Sequence, residues 1–329
     1  MPWVSASVGD DIGSFFAAVG KFFENLARID PALLALGLLC FGIYLTFRAR
    51  AFFHVLQAAY PAERVAFRRI WGAYIAAYGF NNVIPARGGD IIKLFLTRTS
   101  IPSSSYPAIG AALFVEAGFD LAMGIPILIF AFTQGVFPQP PEWADIGAFD
   151  LSFLAQNLRL TLFLITLVAL GGLIAFAVLS VRVKAFWGRV RQGLTILADR
   201  RRYLREVFLV QFAGWLFRCA AFWSLLEAFN VGGSVKNVLL VLGVNAVASA
   251  LPFTPGGAGV QQAFLVKVFA GTASGATIAA YSVGQQIAIA LFSIGVGFLA
   301  IVTIFKFRSF KEVVAAGKDA RAAEKAAAV

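Results

Sequence analysis

The sequence predicts an all-α polytopic membrane protein, built as an inverted repeat in which two re-entrant broken-helix hairpins enter from opposite faces. Three observations carry that expectation. Of 329 residues, 60% are hydrophobic and 14% charged, with a mean hydropathy of +0.80, whereas soluble domains carry about 25% charged residues. Apolar runs recur along the chain at lengths close to the roughly 20 residues that a bilayer-crossing helix needs. Two further apolar runs are interrupted near their middles by asparagine, proline and glycine, which end or bend helices.

The first thirty residues contain "GDDIGSFFAAVGKFFENLARID" and lack the basic-then-apolar order of a cleaved signal. Residues 1–30 are expected to remain as an interfacial segment, with Phe15, Phe16, Phe22 and Phe23 supplying the apolar side of a helix over 12–29. A transmembrane domain then covers 31–306, and 307–329 form a basic cytoplasmic tail. The five uninterrupted spans are expected at 31–47, 106–134, 158–181, 206–229 and 275–305, the last long enough to tilt. The interrupted runs are 70–97, around "NNVIPARGGD", and 238–271, around "NAVASALPFTPGGAGVQQ".

Orientation follows from the basic residues, which collect on the cytoplasmic side. Arg48, Arg50, Arg64, Arg68 and Arg69 follow the first span; Arg182, Lys184, Arg189, Arg191, Arg200, Arg201, Arg202 and Arg205 follow residue 181; Lys306, Arg308 and Lys311 follow the last. The loop "GVFPQPPEWADIGAFD" carries Glu142, Asp145 and Asp150 without a base and is expected outside. With these assignments both ends of 70–97 lie inside, marked by Arg69, Lys93 and Arg98, and both ends of 238–271 lie outside. Each interrupted run is then a hairpin that dips in and returns, and the C-terminus is cytoplasmic. The net charge of +11 is accounted for by flanks beside anionic lipid, and no nucleic-acid motif interleaves those bases.

Irregular backbone within hydrocarbon survives only where it is buried in protein or lines a wet cavity. Broken helices near the midplane present free backbone groups to a polar solute, as transporters do, and helix N-termini favour anions such as phosphate. The two breaks share asparagine, then proline, then a glycine pair: Asn82, Pro85, Gly88 and Gly89 in one, Asn245, Pro255, Gly256 and Gly257 in the other. The competing reading is a proline kink with glycines that allow tight helix packing.

Ionisable residues in the apolar zone are Arg87, Asp90, Glu116, Asp120, Arg218 and Glu227, and each such residue is expensive unless it faces a cavity or a partner. Glu116 and Asp120 are four apart and share one helix face. They require either cations nearby, for which Arg87 and Arg218 are the expected partners, or raised pKa values. Glu227 lies near a span end and Lys267 can snorkel. No phosphate-binding glycine loop, zinc-protease helix or paired C-x-x-C spacing occurs. The only histidine, His54, lies in a basic amphipathic stretch. The chain is therefore expected to be no enzyme and to use no cofactor or metal.

At "GFNNVIPARGGDIIKLFL", "FVEAGFD" and "NAVASALPFTPGGAGVQQAFLV" the chain resembles the flippase-like integral membrane family related to the transmembrane region of lysylphosphatidylglycerol synthases. The first stretch fits that family's N-x-x-P-x-R-x-G-[DE] pattern at Asn82, Pro85, Arg87, Gly89 and Asp90. The second fits E-R-x-x-D at Glu116 and Asp120, with Ala117 where the pattern has arginine. The third fits P-x-x-P-G-G-x-G-x-x-E at Pro252, Pro255, Gly256, Gly257 and Gly259, with Gln262 where the pattern has glutamate. The resemblance implies a lipid translocase of the cell membrane that moves an anionic phospholipid or a polyprenyl- or glyco-lipid head group between leaflets. Under this reading Arg87, Arg218 and the glycine backbone hold phosphate, while Asp90, Glu116 and Asp120 pair those arginines or contact sugar or amine groups. Two alternatives stand beside it: a membrane accessory subunit of a glycolipid or envelope-assembly enzyme, and a membrane enzyme acting on a lipid-linked substrate. Membrane lipids are the expected partners, with room for a homo-oligomer or an envelope-synthesis partner.

Overall fold

In the computed structural model, the structure describes residues 28–84, 88–134, 181–250, 260–269, 271, 273–308, 312–313 and 315–316. The elements among them are helical: α1 Pro31–Ala59, α2 Phe67–Asn81, α3 Gly88–Ser100, α4 Tyr106–Thr133, α5 Val181–Gly193, α6 Arg200–Ala228, α7 Val235–Ala250, α8 Val260–Val268 and α9 Gly275–Phe305. Four of them, α1, α4, α6 and α9, are long and apolar enough to cross a membrane. The expected interfacial helix over 12–29, the acidic loop and nearly all of the span at 158–181 lie outside the described residues.

Helix α1 starts where Asp30 caps it, accepting from the Ala32 and Leu33 amides at 2.8 and 3.1 Å, with Pro31 in the first turn. It runs 29 residues, about 43 Å at 1.5 Å per residue. That corrects the expected end at residue 47. The apolar letters resume at Ala51, and the helix continues with Phe52, Val55 and Leu56 fully enclosed. Helix α6 lies antiparallel along it: Asp30 donates to the Ala228 carbonyl, Gly37 meets Leu225, Gly214 meets Phe47, and Arg48 reaches Gln211. The first turns of α6 contain a π-bulge over Leu204–Phe208.

Helices α2 and α3, 15 and 13 residues long, are about 22 and 20 Å in length and too short alone for a hydrocarbon core of about 30 Å. They pack on each other across the break. Asn81 Oδ1 accepts the Gly89 amide at 2.8 Å, and Asn82 Nδ2 donates to the Tyr78 carbonyl at 2.9 Å. A Cβ at Gly89 would collide with the Ala77 carbonyl and with Asn81. Helix α9 packs antiparallel to α2 through small residues: a Cβ at Gly79 would lie 2.8 Å from the Ser293 carbonyl oxygen, and one at Gly297 would lie 3.2 Å from that of Ile75. Close backbone approach of this kind is how helices associate in lipid.

Between α6 and α7 the chain turns through Asn230 and Gly232, both at positive φ, where glycine and asparagine are the tolerated residues. Glu227 Oε1 accepts the Gly233 amide at 2.9 Å and closes this turn. Helix α7 then lies on the end of α4, with Gly243 against Ala131. After α9 the chain reverses at Lys306, and Val313 is buried beside Phe80, Phe95 and Ile301.

Candidate functional site

A network of charged side chains joins five helices. Arg48 of α1 is 8% exposed. Its Nε donates to the Tyr74 hydroxyl of α2 at 3.1 Å, and its Nη1 donates to Gln211 Oε1 of α6 at 3.1 Å. The same guanidinium forks onto Asp120 of α4, Nη1 to Oδ1 and Nη2 to Oδ2, the latter at 2.8 Å. Two parallel bonds of this kind are the strongest arginine–carboxylate geometry. Glu116, one turn before Asp120, places Oε1 at 3.8 Å from Arg48 Nε and Oε2 at 3.5 Å from Lys93 Nζ of α3. Lys93 also lies 3.9 Å from Asp90 and over the rings of Tyr74 and Phe52, at 4.3 and 5.5 Å.

Burial explains the arrangement. An unpaired charge in a low-dielectric interior is costly by several kcal/mol, so Arg48 and Lys93 are held against Glu116 and Asp120, two charges against two. The members are unequal in their access to solvent. Glu116 is 3% exposed and its Oε1 accepts no hydrogen bond, whereas the side chain of Asp120 is 50% exposed. A half-exposed carboxylate at the middle of an apolar span requires water or a polar solute beside it.

Glu116 and Asp120 do share a face. Among the described residues their cations are Arg48 and Lys93; Arg218, expected as a partner, makes no ion pair among them, and the expected pairing with Arg87 falls outside the described residues. The sequence reading had assigned Arg48 and Lys93 to cytoplasmic flanks, and both are buried. Arg87, with Pro85, lies outside the described residues, as do Pro252, Pro255, Gly256, Gly257 and Gly259. Arg218 is half-buried one turn of α1 away from Arg48, over the rings of Tyr44 and Phe222 at 5.6 and 5.9 Å, with no ion pair or hydrogen bond among the described residues. Of the first break, Asn82 caps α2, Gly88 and Gly89 are closed by Ile84, Ala77 and Asn81, and Asp90 stands at the edge of the network. Tyr74 and Gln211 were not singled out by sequence. The signal that could have found Arg48 and Lys93 was the demand of two mid-span carboxylates for two cations.

The helices flanking the second break carry a different set of polar side chains. Among the described residues, Asn245 Oδ1 of α7 is buried without a hydrogen-bond partner, Gln262 of α8 donates to Gln286 of α9, and Gln285 is 1% exposed with neither amide atom bonded. The Tyr281 hydroxyl, one turn earlier on α9, is likewise buried and unbonded among them. Separately, an apolar cleft of about 270 Å³ lies among α1, α2 and α9, lined by Leu39, Ile43, Trp71, Ile75, Phe292 and Val296.

Among the described residues no group of three or more His, Cys, Asp or Glu side chains is placed to hold a metal ion. No curated protein and no solved structure matches the chain. A family model does, that of the Lysylphosphatidylglycerol synthase TM region, over residues 11–308. This is a membrane protein with several apolar helices. The chain belongs to the family of the lysylphosphatidylglycerol synthase transmembrane region.

Proposed function

We propose that the protein is a lipid translocase, a transporter and no enzyme, that carries an anionic phospholipid or a lipid-linked sugar between the leaflets of the cell membrane. The observation that carries this reading is the buried charge network around Arg48, with half-exposed Asp120 in the middle of a span. Ion pairs at that depth serve assembly alone if every member is sealed; an accessible carboxylate gives an anionic head group a route to the Arg48 fork. Arg218, one turn away and without an ion pair among the described residues, supplies a first cation for phosphate. The apolar cleft beside Trp71 and Phe292 suits an acyl chain that stays in lipid while the head group moves.

The short paired helices α2 and α3, too short alone to cross, support a re-entrant hairpin, and α7 with α8 supply its counterpart. The proposed topology keeps the inverted repeat and a cytoplasmic C-terminus.

The test uses purified protein in liposomes containing labelled phosphatidylglycerol or a labelled polyprenyl-phosphate sugar, with labelled phosphatidylcholine as control. Exchange of the anionic lipid between leaflets is expected, and Arg218→Ala is expected to reduce it at least tenfold with the melting temperature unchanged. Absence of exchange for every lipid would favour an accessory subunit of an envelope-assembly enzyme or an enzyme acting on a lipid-linked substrate.

A further inference from the structure

Among the described residues the network sets Arg48 and Lys93 against Glu116 and Asp120, with Asp90 at 3.9 Å from Lys93 on its edge, and this balance constrains what happens when an anion arrives. A phosphodiester entering beside Arg48 or Lys93 adds negative charge to a cluster whose two cations are already matched by carboxylates. In a low-dielectric interior that excess must be relieved, by moving a carboxylate to water or by neutralising one. The two carboxylates differ in which response is open to them. Asp120 is half-exposed and bonds Arg48 through both oxygens, so water can solvate it when it is displaced. Glu116 is enclosed, its Oε1 accepts no hydrogen bond, and its Oε2 contact to Lys93 is long at 3.5 Å. It has no route to solvent comparable with that of Asp120, and it keeps a vacant lone pair for a proton.

Resting on the translocase reading above, we propose that binding of an anionic lipid head group is accompanied by uptake of one proton at Glu116, which makes the substrate anion and a proton move as a pair. The proton comes from water and converts the Glu116 carboxylate to a carboxyl, with no other bond made or broken. The groups facing Glu116 from each neighbouring helix are consistent with this. Helix α1 contributes Arg48, α2 the Tyr74 hydroxyl, α3 Lys93 with Asp90 beyond it, α4 Asp120, and α6 the neutral Gln211 with Arg218 farther along. Charged residues of two other helices packed on α4 stand apart: Arg189 and Arg191 of α5 are exposed, and Lys236 begins α7. With the lipid absent, Arg48 and Lys93 lie against Glu116. Once the lipid phosphate takes up their charge, Glu116 is left as the buried carboxylate without a counter-ion. Linkage requires the converse, that acid tightens anion binding.

The experiment uses the full chain in phosphatidylcholine nanodiscs and, as probe, dihexanoyl phosphatidylglycerol, whose phosphodiester keeps its charge throughout the range tested. Calorimetric titration in buffers of different ionisation enthalpy counts protons taken up per probe bound. One proton is expected, with affinity rising up to about tenfold per pH unit on acidification between about pH 8 and pH 5. Infrared difference spectra on probe addition should show a new protonated-carboxyl band. Glu116→Gln should abolish that band, the proton uptake and the pH dependence, whereas Arg189→Gln, at an exposed cation of α5 outside the network, should keep all three. Should Glu116→Gln fail to fold, Glu116→Asp takes its place, and an unshifted carboxyl band in that variant counts against the assignment. Binding without proton uptake overturns the linkage alone, and dependence on sodium in place of pH overturns the proton. Uptake that persists in Glu116→Gln overturns the residue. No binding by the wild-type protein at any pH overturns both the linkage and the translocase reading.

Discussion

Around Arg48, helices α1, α3 and α4 hold charged side chains against one another; around Gln285, helices α7 to α9 hold amides and a phenol, several of them with no hydrogen-bond partner among the described residues. Both regions place polar atoms inside an apolar molecule. They differ because an unpaired charge costs several kcal/mol there, whereas an unpaired amide or hydroxyl costs about 1–3 kcal/mol. The Arg48 region is therefore closed upon itself and yields only to something charged. The Gln285 region is left short of hydrogen bonds and has capacity for water, hydroxyl groups or backbone.

The largest effect should come from breaking the charged side of this comparison. Arg48→Ala removes the cation shared by Asp120 and Glu116 and also strands Tyr74 and Gln211. A loss of about 3–5 kcal/mol is expected, read as a large fall in melting temperature in detergent. Arg48→Lys should recover only part of it, because a lysine cannot reproduce the fork. A melting temperature within a degree or two of wild type in Arg48→Ala would show that the network is not structural, and would leave Arg48 a ligand-binding role only.

Gly89→Ala acts on the same side at one remove. Gly89 lets the first turn of α3 approach α2 closely enough for Asn81 to accept its amide, and α3 carries Lys93 into the network. The added methyl would meet the Ala77 carbonyl and Asn81, an overpacking expected to cost about 1–3 kcal/mol. Asn81→Ala in the same background should add little, since the contact it supports is already lost. Full additivity of the two in a thermal melt would separate Gly89 from the α2–α3 junction.

Much of this architecture was legible in the sequence. The run read as 106–134 is helix α4 over Tyr106–Thr133, and that read as 275–305 is α9 over Gly275–Phe305. Hydropathy reports such spans because a long apolar run has few other uses. The break between α2 and α3 was legible from Asn82 and the glycine pair, and the shared face of Glu116 and Asp120 from their spacing. The charge partners were not. Arg48 stands near Arg50 just after an apolar run, the usual pattern of a cytoplasmic flank, and partners on three other helices, Asp120 at 72 residues away in sequence among them, draw it inside. As a basic residue near the end of the interrupted run, Lys93 reads with Arg98 as a cytoplasmic hairpin end, yet aromatic rings and Glu116 enclose it. Charge alone does not say on which side of a helix a residue falls, and pairing across such separations leaves no local periodicity.

The smallest effect on stability, and the one that sharpens the comparison most, belongs to Gln285. Neither amide atom of this side chain is bonded, although the residue is 1% exposed. Gln285→Leu replaces an unsatisfied polar group with an apolar one of similar volume, so stability should change by less than about 1 kcal/mol and in the stabilising direction. Gln286 is the matched control, because it accepts from Gln262. Gln286→Leu removes that hydrogen bond and should lower stability by about 1–2 kcal/mol. If the unbonded amide of Gln285 is held in reserve for a head group, Gln285→Leu should slow leaflet exchange while the melt stays level or rises. Were Gln285→Leu to destabilise as much as Gln286→Leu, its amide would already be in use in the folded protein, and the contrast between a closed charged half and an open amide half would fail.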